Sequence, residues 1–231
     1  MIETVILILE CVAVAFFSFS GTLIAIRKRT DPIGALFFAM ITCFGGGLIR
    51  DMIIGLHPPR LFFDREYAIL AVVCAVTSLL VFSCSFIGNT AQKLTDHRHD
   101  FWVEGSDAMG LAIFCILGVE SALQTDPDLE KNFVLLVFCG CITGVGGGVM
   151  RDIFSAQIPS LFRKHIYLIP ALAGTLLYVL VRPVANRLAA IAVSVALILL
   201  LRFLAIRFRW NLPTPAAKGD GNDPKSGKSN G

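Results

Sequence analysis

Two stretches of the chain decide its architecture: Ile41-Thr42-Cys43-Phe44-Gly45-Gly46-Gly47-Leu48-Ile49-Arg50-Asp51 and Ile142-Thr143-Gly144-Val145-Gly146-Gly147-Gly148-Val149-Met150-Arg151-Asp152. They lie 101 residues apart, and seven of the eleven aligned positions are identical. The echo continues in Pro58 and Pro159, and after a one-residue slip in Tyr67 and Tyr167. Self-similarity at a fixed offset is the mark of duplication.

The surroundings of the motif are apolar. Of 231 residues, 55% are hydrophobic and only 16% charged, with mean hydropathy +0.74. A soluble domain carries about 25% charged residues. This composition therefore excludes a soluble enzyme and a disordered chain, and leaves an integral membrane protein. A net charge of +3 is too small to point to nucleic acid. Judged against the ~20 apolar residues that cross a bilayer, seven spans emerge: Val5–Ile26, Ile33–Gly55, Tyr67–Ile87, Val103–Leu123, Phe133–Ser155, a short Ile166–Val181, and Leu188–Phe208. They are apolar all round, as helices in lipid or in a bundle are, and the alternating segments of a β-barrel are absent. Met1–Thr4 holds Glu3 and no basic residue, so the first span does not read as a signal peptide. The end, 211–231, is rich in Pro, Gly, Ser, Lys and Asp and reads as a disordered tail.

The motif falls in spans 2 and 5, so the repeat unit is three spans. Three is odd, and the second copy must enter the membrane inverted. The expected fold is an all-α membrane protein with residues 1–90 as the first three-helix repeat, 101–182 as the second, inverted one, and 184–210 as a seventh helix, followed by the 211–231 tail. Inverted repeats of this kind build transporters and channels. Lys and Arg concentrate after spans 1, 3 and 5 and at the C-terminal end, with Arg27-Lys28-Arg29 the densest cluster. By the positive-inside rule the N-terminus is outside and the C-terminal tail cytoplasmic.

Inside the spans the polar residues are few. The seven Cys are all intramembrane and none forms a C-x-x-C pair, so they read as small buried hydrophobes. His97 and His99 fall in a polar loop and do not read as a metal site. No cofactor is called for: Gly144-x-Gly146 superficially resembles a dinucleotide loop, but no strand precedes it, and no enzyme constellation is visible. Three consecutive glycines in a membrane helix cost stability. Close packing is one reason for them. A break that bares backbone groups beside a water-filled path is the favoured one. Side chains at i and i+1 diverge on a helix, so Arg50 is expected to meet Asp152, or Arg151 to meet Asp51, across the two spans. The other possibility is that both arginines snorkel to the interface. Glu10, Asp107, Glu120 and Arg202 are further intramembrane charges, functional candidates by default. Glu120 and Arg202 are near span ends, where snorkelling is expected. Glu10 and Asp107 are deeper and suit a path for cations.

The doubled G-G-G-x-x-R-D resembles the signature of the trimeric intracellular cation channel family, in its prokaryotic branch. Further matches are Ser20-Gly21 with Ala25-Ile26-Arg27-Lys28, Asp107-Ala108-Met109-Gly110-Leu111-Ala112, and Arg209-Trp210-Asn211-Leu212-Pro213. The resemblance covers about residues 5–213. It implies a homotrimer in a prokaryotic inner membrane, in contact with lipids and not with nucleic acid. It also implies a pore within each protomer between the two repeats, carrying potassium with weak selectivity over sodium. Gly45, Gly46, Gly47, Gly146, Gly147 and Gly148 would be the kink residues, and Arg50, Asp51, Arg151 and Asp152 the adjacent polar shell. One departure is Gly118-Val119-Glu120-Ser121, where many relatives carry a basic residue. The competing function is a secondary transporter of a small solute such as glycine, since broken inverted helices also build substrate sites.

Overall fold

The computed structural model describes residues 2–86, 100–163 and 167–208, and the described residues are helical, with no strand among them. Seven main helices follow in order: α1 (Ile2–Arg27), α2 (Pro32–Ile53), α3 (Arg65–Phe86), α4 (Asp100–Thr125), α5 (Phe133–Phe154), α6 (Leu168–Val181) and α7 (Arg187–Phe208). Six are long and apolar enough to cross a membrane; α6, at 14 residues, is shorter. At 1.5 Å per residue α6 spans about 21 Å, less than the ~30 Å hydrocarbon core. The tail at 211–231, the loop holding His97 and His99, and the Arg209-Trp210 motif lie outside the described residues.

Local chemistry sets the helix starts. Asp31 caps α2, its Oδ1 accepting from Gly34 N at 2.7 Å, with Pro32 in the first turn where no N–H is missed. Asn132 caps α5 in the same way through Leu135 N at 3.1 Å. The two motif helices also end alike. Gly55 and Ala156, 101 residues apart, both take a left-handed backbone, at φ 79° and 54°. Leu56 N then donates to Asp51 O at 2.9 Å and Gln157 N to Asp152 O at 3.0 Å, closing the last turn of each helix.

α1, α2 and α3 pack on one another, and so do α4, α5 and α6; α2 against α5 and α1 against α4 join the two groups. α7 lies along α4 and α6. α4 is the centre of the bundle: the run Leu111–Leu117 is buried on all sides. Two hydroxyl contacts tie α3 to α1: Ser18 Oγ donates to Cys74 O at 2.9 Å, and Thr22 Oγ1 to Ser78 Oγ at 3.0 Å.

α2 and α5 run as continuous helices through their triplets, so the expected break in the helix is not there. The glycines instead let the two backbones touch. A Cβ on Gly46 would collide with the Thr143 carbonyl, a Cβ on Gly147 with the Thr42 carbonyl, and a Cβ on Gly146 would stand 2.9 Å from Gly46 Cα. The Cα hydrogens in those places are aimed at the opposing carbonyl oxygens, the geometry of a C–H···O contact between helices. Backbone contact of this kind, between small residues, is how membrane helices gain packing without a hydrophobic drive. Four residues before each of the middle glycines sit Thr42 and Thr143, whose hydroxyls donate to Phe38 O and Cys139 O, both at 2.6 Å.

Candidate functional site

Just past each triplet the helix carries its Arg-Asp pair, and in both helices the pair closes on itself. Arg50 donates to Asp51 Oδ1 through Nε at 2.9 Å and Nη2 at 2.7 Å. Arg151 donates to Asp152 Oδ1 through Nε at 3.0 Å and Nη2 at 2.9 Å. The expected exchange of partners between α2 and α5 is therefore corrected, and so is snorkelling: all four side chains are buried. The divergence of neighbouring side chains holds for short ones. The guanidinium is long enough to reach around the helix to the next carboxylate.

The second oxygen of each aspartate holds the following loop. Asp51 Oδ2 accepts from Arg60 N at 3.0 Å, and Asp152 Oδ2 from Ser160 N at 2.7 Å. Each motif aspartate thus fixes an arginine on one side and a returning loop on the other. Arg60 itself bridges to α4, with Nη1 donating to Ser121 Oγ at 2.9 Å and Gln124 Oε1 at 3.3 Å, while Nε meets Asp64 Oδ2 at 2.6 Å. Burial is the largest single influence and works against its charge, but the hydrogen bond to Asp64 together with the nearby Tyr67, Asp64 and Asp51 outweighs it and raises the Arg60 pKa.

Beyond these parallels the halves differ. Around Arg151 the space is filled. Its Nη1 donates to Asp107 Oδ1 at 2.8 Å and to Ser20 Oγ at 2.5 Å. Tyr167 OH donates to Asp107 Oδ2 at 2.5 Å, and Arg202 of α7 reaches the same oxygen at 3.8 Å. The Arg202 guanidinium lies over the Tyr167 ring, 4.3 Å from its centroid. Around Arg50 there is instead a small cavity, roughly 30 Å³ in water-accessible volume, whose wall includes Glu10, Gly47, Arg50, Asp51, Tyr67 and Ser121. Such a recess, with a few convergent charged groups between the helices of the bundle, has room for water or an ion.

Of the residues expected to matter, Glu10, Gly47, Arg50 and Asp51 meet at this cavity, and Asp107, Gly148, Arg151 and Asp152 meet in the filled cluster. Gly45, Gly46, Gly146 and Gly147 belong to the crossing between them. Glu120 and Arg202 do not snorkel. Glu120 is buried and takes Tyr178 OH, Arg182 Nε at 2.9 Å and Arg187 Nε at 2.6 Å, which ties α4 to the α6–α7 connection. Arg202 sits within α7 and is 3% exposed. The residues not foreseen are Ser20, Arg60, Tyr178, Arg182 and Arg187 as partners of these charges. The echo of Tyr67 in Tyr167 was the available signal for the two tyrosines.

The comparisons with known proteins agree with this construction. A family model described as glycine transporter matches residues 7–84 and 105–183. A UPF0126 membrane protein of Vibrio cholerae is 32% identical over 210 residues, covering 90% of this chain and 81% of the relative. The UPF0126 inner membrane protein YadS of Escherichia coli is 34% identical over 218 residues, covering 92% and 97%. The solved trimeric intracellular cation channel orthologue from Rhodobacter sphaeroides superposes with a TM-score of 0.77 at 27% identity, covering 89% of this chain and 98% of that one. Duplicated motif, multi-pass helical bundle, curated relatives and solved fold together place the chain in the UPF0126 membrane-protein family, the prokaryotic branch of the trimeric intracellular cation channel family.

Proposed function

We propose that this protein is a passive channel for monovalent cations, chiefly potassium, with its own path in each protomer. The observation that carries the proposal is the likeness, over 89% of the chain, to a solved cation channel. The path runs between two inverted three-helix halves, α1–α3 and α4–α6, with α7 as the added seventh helix. It enters the cavity beside Glu10, Arg50 and Asp51 and runs alongside the crossing of α2 and α5, where the triplets bring the two backbones together. Protomers assemble as homotrimers in the bacterial inner membrane, N-terminus outside and tail cytoplasmic. The buried charges support a path for ions, because an ionisable group in lipid is costly and is kept facing a bundle interior or water.

Single-channel recording of the purified protein in planar bilayers under bi-ionic potassium and sodium conditions tests the proposal. Unitary currents without any solute gradient, with potassium only modestly preferred, are expected. The competing function is coupled uptake of a small solute such as glycine. Saturable glycine accumulation by proteoliposomes that show no cation currents would overturn the channel in its favour.

A further inference from the structure

The filled cluster of the second half doubles as a template for the open cavity of the first. In the second half the side chains are Asp107, Arg151, Asp152 and Arg202, whose formal charges cancel. The cation that completes them, Arg202, comes from α7, an element outside the repeats; it stacks on Tyr167 and faces Asp107. The wall of the first-half cavity carries Glu10, Arg50 and Asp51, a net charge of minus one, together with Tyr67 as the counterpart of Tyr167. Glu10 lies one helical turn from Ile6, the counterpart of Asp107 at the 101-residue offset, on the same face of α1. It makes no hydrogen bond or ion pair among the described residues, whereas Asp107 has three partners. The glycines mark the same contrast. A Cβ on Gly148 would meet Tyr167 OH at 3.0 Å and Asp107 Oδ1 at 3.3 Å, while one on Gly47 would meet only Arg50 Nη2, at 3.7 Å.

We propose that the first-half cavity is a binding site for a guanidinium-class organic monocation, held between the Glu10 carboxylate and the Tyr67 ring as the Arg202 side chain is held between Asp107 and Tyr167. A planar guanidinium gains from both groups at once, through charge-assisted hydrogen bonds to a carboxylate and attraction to an aromatic face. The site lies in the cavity that the proposed path enters, but binding is read in detergent without ion flow, so its test and that of the channel can fail separately.

Equilibrium dialysis of radiolabelled guanidinium against the detergent-purified full-length protein, with sodium chloride holding ionic strength constant, measures it directly. Saturable binding of one ion per protomer is expected. Glu10→Gln should weaken it by about tenfold or more, since it removes the carboxylate that is not already paired with an arginine. Gly47→Leu, which fills the cavity from α2 and leaves the Glu10 charge in place, should abolish it. Arg202→Met, which uncovers the second template, should raise the stoichiometry to two. Absence of saturable binding by the unaltered protein overturns the site. So does undiminished binding by whichever of the Glu10→Gln and Gly47→Leu proteins elutes like the unaltered one. A folded Arg202→Met protein that still binds one ion overturns the template.

Discussion

At the scale of single residues, the arginine and aspartate that close each motif show how a buried charge is made tolerable. A lone ion in this interior would be prohibitive, yet Arg151 has carboxylate oxygens from Asp152 and Asp107 within 3.0 Å and Asp107 has three donors around it. Breaking such a pair strands the remaining charge and costs about 3–5 kcal/mol. Asp107→Asn is therefore expected to lower the thermal midpoint of the detergent-purified protein sharply. Asp64→Asn, in the half-buried pair with Arg60, should cost on the order of 1 kcal/mol or less. A midpoint for Asp107→Asn as high as that of Asp64→Asn would show the cluster to be dispensable. Ala156 offers the opposite sign. It occupies the left-handed position that Gly55 fills in the first copy, a conformation costing a residue with a Cβ about 1–2 kcal/mol. Part of that is returned as unfolded-chain entropy, so Ala156→Gly should stabilise by on the order of 0.5–1 kcal/mol, read as a raised midpoint. The sequence pattern already singled out these charges as worth attention. It did not reveal their partners, because helical-face geometry treats Arg50 and Asp51 as pointing apart and takes no account of how far a guanidinium reaches.

At the scale of elements, the triplets turn out to be divided in function. The middle glycines of α2 and α5 are pressed against the partner backbone, whereas a Cβ on Gly47 would make only an ordinary contact with Arg50 Nη2. Gly46→Ala and Gly147→Ala should each force the helices apart and cost about 1–3 kcal/mol as overpacking. Gly47→Ala should be neutral or mildly stabilising, through a gain in helix propensity of roughly 1 kcal/mol. Thermal unfolding of the three purified variants orders them. Equal losses in all three would mean that the crossing carries no special load. Consecutive glycines announce an unusual helix in the sequence, but a break and a backbone crossing require the same residues there. Only the opposing Thr42 and Thr143 carbonyls distinguish them, and those are brought up by tertiary packing. The span positions were far more legible: the observed α2, Pro32–Ile53, and α5, Phe133–Phe154, end within two residues of the apolar runs Ile33–Gly55 and Phe133–Ser155.

At the scale of the molecule, the main core is shared between the two groups of three helices, and only a smaller cluster around Leu23, Phe38 and Phe82 lies mostly within the first. The central helix α4 buries Leu111–Leu117 among α1, α5, α6 and α7, and α2 and α5 meet backbone to backbone across the two groups. Residues 1–90 and 101–231 expressed as separate fragments should therefore be degraded when alone and co-purify when expressed together, with a tag on one fragment reporting recovery of the other. Recovery of a stable single fragment would contradict this. The seventh helix is the element whose purpose the sequence left blank. Arg202 resembled a charge snorkelling from a span end, and it is the position of Tyr167 and Asp107, contributed by helices distant in sequence, that gives it a destination. The crossing of α2 and α5 carries one more consequence. The two backbones meet at Gly46 and Gly147, with the flexible side chains of Met150 and Ile49 against the neighbouring Gly45 and Gly146. Rotation of one half against the other about this contact asks only those two side chains to yield, while pulling the halves apart opens a void along the whole interface. The contact is thus a pivot: it leaves the molecule one soft degree of freedom, a scissoring of its halves, and stiffens the others.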